Sequence, residues 1–266
     1  MWTRALLKEN GKVAFKRNYW TCVLVSVILG LLVGNGSGFN FNVDKDLWTN
    51  YGKPGNSYIS PEAIANSLGG EALQYMMILL PIIMFALVLG VVIAIVVATF
   101  VSNVFEVGGA RYYIENREHQ TEVSRVLWGF KNNYMGIVKT QFLRQLYIFG
   151  WSLLFIIPGI VKSLSYSMIP YLLAENPSLS KERAFDISMQ MMDGHKMDLF
   201  VLGLSFIGWH FLNACTFGLL GIFYVNPYMH ATYAEFYSAL KAEALQRGIA
   251  NADELPGVSI ETQIIF

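Results

Sequence analysis

Residues 72–105 read ALQYMMILLPIIMFALVLGVVIAIVVATFVSNVF, 34 residues without one Asp, Glu, Lys or Arg. A helix needs about 20 apolar residues to cross the roughly 30 Å hydrocarbon layer of a bilayer. Pro81 and Gly90 interrupt the run, but no polar turn accompanies them. The stretch is therefore expected to form one long, tilted helix with Pro81 near its outer end. Neighbouring groups can satisfy the carbonyl that such a proline frees.

Other charge-free stretches lie on both sides of it. Residues 18–43 form one, and residues 145–161 and 163–174 form a pair separated only by Lys162. Residues 199–234 form a stretch of 36, with His210 and His230 its only titratable interruptions. As a single helix it would be about 54 Å long at 1.5 Å per residue, too long for one crossing. It is expected to fold as a hairpin, 199–213 and 219–237, turning at Thr216, Gly218 and Gly221. Pro158-Gly159 is a strong local breaker, so 145–157 and 160–174 are expected as two short helices around it.

Composition agrees with this reading. Of the 266 residues 54% are hydrophobic and 14% charged, with a mean hydropathy of +0.42. An ordinary soluble domain carries about 25% charge. Disorder, a fibrous repeat and a basic nucleic-acid binder are thereby excluded, and no nucleic-acid partner is expected. Lys plus Arg and Asp plus Glu are each 19, so only the placement of charge is informative. Five basic residues precede the first span, two lie between Gly38 and Glu71, and six between Glu106 and Arg144. Basic residues in short loops mark the cytoplasmic side. The pattern gives an all-α polytopic helical bundle of six membrane segments with both termini cytoplasmic. It divides one integral membrane domain, 1–266, into a cytoplasmic interfacial helix (1–17), an extracytoplasmic loop (39–71), cytoplasmic segments (106–144 and 175–198) and a cytoplasmic tail (239–266). A signal peptide fits less well, because the 17-residue basic region is long and no Ala-x-Ala site follows.

Arg4, Lys8, Lys12 and Lys16 recur every four residues and form one slowly drifting stripe on a helix. With Trp2, Ala5, Leu6 and Val13 on an apolar side, they are expected to contact an anionic cytoplasmic leaflet. Arg111-Tyr112-Tyr113 and Val126-Leu127-Trp128-Gly129-Phe130 are expected to form an interfacial aromatic belt. Residues 180–193 are expected as a helix with its N-cap at Ser180 and its stop at Gly194. Its Ala184, Ser188, Met191 and Met192 would pack on the bundle or the lipid, or offer an adaptable partner surface. Cys22 and Cys215 are expected as buried, reduced packing residues.

No catalytic or cofactor motif is present, so no catalytic residue, cofactor or metal is expected. Polar groups inside apolar segments are costly and often functional. On that ground Lys162, His195, His210, Asn213, Asn226, His230 and Glu235 form the candidate polar set. Lys162 follows the Pro-Gly break by three residues, where broken helices of transporters often bind ligands. The topology places the break near the outer surface, however, so Lys162 is expected to snorkel to water. Gly30 and Gly34 form a weak Gly-x-x-x-Gly packing motif.

Several strings occur in a particular order: Tyr166-Ser167-Met168, Ser188-Met189-Gln190-Met191-Met192-Asp193-Gly194-His195-Lys196, Leu204-Ser205-Phe206-Ile207-Gly208-Trp209, Asn226-Pro227-Tyr228 and Ala234-Glu235-Phe236-Tyr237. Lys12, Asn18, Tyr19 and Trp20 at the start, and Val107-Gly108 to Gly129-Phe130-Lys131, join them. As an ordered set they resemble a bacterial membrane-protein family, domain of unknown function 975. The resemblance spans nearly the whole chain except the loop 39–71. It implies a multi-pass protein of the bacterial cytoplasmic membrane and supplies no catalytic residues. Three functions are weighed. The first is a non-enzymatic scaffold or accessory subunit of an export or envelope-assembly system, with a membrane-protein partner. The second is a small-molecule or lipid carrier or channel using the last hairpin. The third is an intramembrane enzyme.

Overall fold

A computed structural model describes residues 2–32 and 70–257. Every regular element among them is helical. The loop 39–71, apart from its last two residues, lies outside the described residues. So do Gly34 and the end of the tail. The chain divides into two compact units, Met1–Phe39 with Ala98–Phe266, and Asn40–Val97.

The described part of the second unit is helix α3 (Gly70–Val97), unbroken through Pro81. Its described side chains from Tyr75 onward are all exposed. A helix that is apolar all round suits a membrane interior.

The first unit begins with α1 (Arg4–Arg17), capped by Thr3, whose Oγ1 accepts from the Leu6 amide at 3.2 Å. Asn18 ends α1, and its Nδ2 donates to the Thr121 carbonyl at 2.7 Å. Helix α2 (Tyr19–Leu32) leaves this corner bent by 103°. The buried face of α1 is Leu7, Gly11, Ala14 and Phe15, whereas Ala5, Leu6 and Val13 are exposed and Trp2 half-buried. The apolar side expected from the sequence is thus exposed, and the helix packs through a different face. The reason is a close helix crossing: a Cβ on Gly11 would stand 2.8 Å from Thr232 Oγ1 and 2.9 Å from its Cα. Only the stripe carrying glycine and alanine can approach that closely.

After a π-helical turn (Ala98–Ser102), α4 (Asn103–Glu115) is buried on nearly all sides. Arg111, Tyr112 and Tyr113 are therefore core residues and not an interfacial belt. Their polar atoms are satisfied inside. Tyr113 donates to the Cys22 carbonyl at 2.9 Å, and Arg111 Nε meets Glu115 Oε1 at 2.6 Å and stands over the Trp128 ring. A 3₁₀ turn (Val123–Leu127) and the short α5 (Trp128–Lys131) then lead to α6 (Tyr134–Leu154).

The chain breaks at extended Phe155 and reverses into α7 (Ile156–Ser165). The break falls three residues before Pro158, not at the Pro-Gly pair. Proline has no N–H to give the carbonyl of residue i−4, and its ring clashes with that carbonyl. The helix therefore ends at Leu154. Pro158 is then tolerated in the first turn of α7, where its amide would be unpaired anyway.

Short α8 (Ile169–Glu175) precedes α9 (Lys181–Met191), where Ser180 Oγ accepts from the Arg183 amide at 3.3 Å. Gly194 ends that turn at φ 84°. The Ala184, Ser188, Met191 and Met192 face is wholly buried, and Ser188 donates to the Ser165 carbonyl at 2.8 Å. Helices α10 (Lys196–Leu204) and α11 (Ile207–Cys215) form the outgoing arm of the last hairpin. Phe217 (φ 51°) and Gly218 (φ 87°) reverse the chain. The return arm is a π turn (Gly221–Val225) followed by α12 (Asn226–Gln246). Cys22 is buried as expected, but Cys215 is exposed, because it sits at the end of α11 beside this turn.

Among the described residues three helical runs are long and apolar enough to cross a membrane: Tyr75–Glu115, Ile156–Glu175 and Lys196–Cys215. The bent pair α1–α2 makes a fourth if it counts as one span.

Candidate functional site: a cavity with an ion pair in its wall

The site grows from one charge on α4 and one on α6. Glu106 is the first charge after the long apolar run, and Arg144 the last before the next run. Arg144 Nη2 donates to both Glu106 oxygens, at 2.8 and 3.0 Å, and Gln141 Nε2 adds a bond to Oε2 at 3.2 Å. One turn away Gln145 donates to Asn103 Oδ1 at 2.7 Å. Residues 141, 144 and 145 share one face of α6 by i, i+3, i+4 spacing, as do 103 and 106 on α4. The result is a polar seam between the two helices.

That seam opens into a cavity of about 640 Å³ in the first unit. Small-molecule sites typically run from about 300 to 1,000 Å³. Its polar wall is Glu106, Arg144, Tyr113, Tyr171, His230 and Tyr233, with Ser163 and Ser167 at the α7 end. Leu164, Leu199, Phe200 and Leu204 supply much of the apolar wall. His230 is stacked on Tyr113, ring centroids 5.3 Å apart and 24° between planes. Tyr171 is stacked on Tyr237 at 5.2 Å and 18°. Both serines spend their hydroxyls on α7 carbonyls, Ser163 on Ile160 and Ser167 on Leu164.

The residues singled out from the sequence are dispersed. His230 lines the cavity, and Lys162 adjoins it in sequence through Ser163. Lys162 is half-buried between the rings of Trp151 (5.5 Å) and Tyr166 (5.7 Å). His195 lies between Asp198 (3.2 Å) and Glu243 (3.1 Å), with the Trp2 ring 5.6 Å away. The imidazole and the Arg247 guanidinium hold the Glu243 carboxyl below its usual range. Glu235 is buried and paired with Arg117 at 2.9 Å. Asn213 is buried at the hairpin turn, where its Oδ1 accepts from the Gly221 amide at 2.5 Å. His210 is half-buried on α11. Asn226 is buried, and its Oδ1 has no hydrogen bond among the described residues. Of the proposed lipid contacts, Arg4, Lys12 and Lys16 are exposed, while Lys8 stands over Phe206 at 4.6 Å and donates to the Ser205 carbonyl. Among the described residues no group of three or more His, Cys, Asp or Glu is placed to hold a metal ion.

Sequence reasoning missed Glu106, Arg144 and the three cavity tyrosines. A signal for the first two existed. Each borders a charge-free run, and a charge there either snorkels or turns inward to a partner.

No curated protein and no solved structure matches this sequence. The model of one family, described as protein of unknown function (DUF975), matches residues 71–244. Lys12, Asn18, Tyr19 and Trp20 fall outside that match, so the resemblance they carried is not part of it. The buried α4, the α6–α7 hairpin and the cavity polar groups on α4, α6, α8 and α12 all lie within the matched residues, and the chain belongs to the DUF975 family.

Proposed function

We propose that this protein is a membrane-embedded binding protein or carrier for a small amphiphile, working in a bacterial cytoplasmic membrane. The observation that carries the reading is the cavity of about 640 Å³ whose wall combines a partly buried ion pair with apolar side chains. A space only for packing would be filled, since protein interiors reach crystal-like density. Six membrane segments with cytoplasmic termini go with this reading. Its support is the distribution of basic residues and a set of contacts at one end of the first unit. Arg17 donates to the Arg117 carbonyl, Arg117 pairs with Glu235, Lys241 with Glu175, and Arg183 with Glu254. These contacts hold the end of α1, the 116–122 loop, the 176–180 loop and the tail together, as a common cytoplasmic side requires.

The test is native mass spectrometry of the full chain extracted in mild detergent. The expected result is one bound amphiphile per chain, lost in Gly203→Trp, which fills the cavity from α10. An empty protein accompanied by a stoichiometric protein partner would instead support a scaffold or accessory subunit of an export or envelope-assembly system.

A further inference from the structure

The cavity also indicates which end of its ligand is recognised, and this inference rests on the reading of the cavity as a ligand site. Glu106 is already satisfied, accepting from Arg144 and from Gln141. Arg144 is not. Its Nη2 makes both bonds to Glu106, while Nε is buried without a partner and Nη1 bonds to no described residue. Tyr171 and Tyr233 line the same space, and neither hydroxyl has a hydrogen bond among the described residues. The unfilled hydrogen-bonding capacity of the wall is therefore mostly donor. Buried donors left unpaired are costly, and arginine presents five N–H groups in a fork suited to carboxylate and phosphate. A cationic head would have to displace Arg144 from Glu106, whereas an anionic oxygen head takes up what is vacant.

We infer that the cavity binds a single-chain amphiphile with an anionic oxygen head, phosphate or carboxylate. The head is held by Arg144 Nη1 with Tyr171 and Tyr233, and the chain lies along Leu164, Leu199, Phe200 and Leu204. Recognition needs no covalent step. The Glu106 pair keeps Arg144 in place and keeps the empty site electrically neutral. This suits a site that must release its ligand again.

The experiment uses the full-length protein in nanodiscs of zwitterionic lipid. Three probes are titrated: lysophosphatidate, the monoacylglycerol of the same chain, and inorganic phosphate. Lysophosphatidate is expected to bind at least about tenfold more tightly than the monoacylglycerol, the ordinary gain from one charge-assisted hydrogen bond. Inorganic phosphate is expected to bind weakly. In Glu106→Gln/Arg144→Gln, which removes both charges so that neither is left buried alone, the preference is expected to fall to within about threefold. Equal binding of the two lipids by the unmodified protein overturns the head-group assignment and leaves the cavity reading standing. Binding of neither lipid overturns the cavity reading itself. Phosphate binding as tightly as lysophosphatidate overturns the amphiphile and makes the ligand a free anion. The comparison in the unmodified protein decides the matter even where the double variant fails to fold.

Discussion

Glu115 shows what single residues do in this fold. Its carboxylate is 3% exposed, sits 2.6 Å from Arg111 and 3.2 Å from Arg125, and lies at the C-terminal end of α4. Arg125 is partly exposed and can turn to water, but Arg111 is 8% exposed and cannot. Removing one partner of a buried pair costs about 3–5 kcal/mol, because the other charge is left without compensation. Glu115→Ala is therefore expected to destabilise by that amount in detergent denaturation. Glu182→Ala, in an exposed pair with Lys181, should change stability by less than about 0.5 kcal/mol. A second residue-scale effect lies in the tail. Two bonds from the Arg183 guanidinium and one from the Asn251 amide pull the Glu254 carboxyl from 4.5 down to about 2. A depressed folded value means this contribution is complete above pH 4.5 and fades as pH falls toward 2. Proteolysis of the 249–257 segment should accelerate across that window, and Glu254→Gln should remove the pH dependence. Equal cleavage of both proteins at pH 3 and pH 7 would contradict this.

At the scale of elements, the α6–α7 hairpin depends on one close contact. A Cβ on Gly159 would stand 2.3 Å from Ser152 Oγ and 2.8 Å from Ser152 Cα, so the two arms meet backbone to backbone. Gly150, in the same hairpin, has nothing within 4 Å of such an atom. The same substitution should then act in opposite directions. Gly159→Ala forces the arms apart and is expected to cost about 1–3 kcal/mol, with faster hydrogen exchange over 145–165. Gly150→Ala relieves backbone entropy in an exposed helical position and is expected to stabilise by about 0.5–1 kcal/mol. Charge-free runs and breakers made this hairpin and the last one legible in the sequence. The exact break was not, because the breaking residue acts on the carbonyl four positions before it. The buried face of α1 was also hidden. Apolar count favours Leu6 and Val13, but crossing distance against Thr232 favours Gly11 and Ala14. The site was the least legible part. His230 stood out as polar within an apolar run, while Glu106 and Arg144 read as the ordinary edges of runs. Their inward turn follows from pairing across two helices 38 residues apart in sequence.

For the whole molecule, the decisive question is which parts share a side of the membrane. Under the proposed topology the long-range ion pairs bear on it for the first unit, since charges that meet directly cannot be separated by a bilayer core. Arg117 with Glu235, Lys241 with Glu175 and Arg183 with Glu254 join three stretches far apart in sequence. Asn116 adds α1, donating to the Ala14 carbonyl at 2.9 Å. Lys12, Glu122, Glu182 and Asp253 are exposed near these contacts, so each accepts a cysteine without disturbing the core. In a Cys215→Ser background, needed because Cys215 is exposed, all four are expected to behave alike. A membrane-impermeant maleimide should label each only after the cells are opened, whereas Lys45→Cys should be labelled on intact cells. The four inner positions test the contacts, and position 45 tests the rule that basic residues gather inside. If one of the four is labelled with position 45 on intact cells, the ion pairs and the topology cannot both hold. If all five are protected, position 45 lies on the same side as the other four, and the span at 72–105 does not cross.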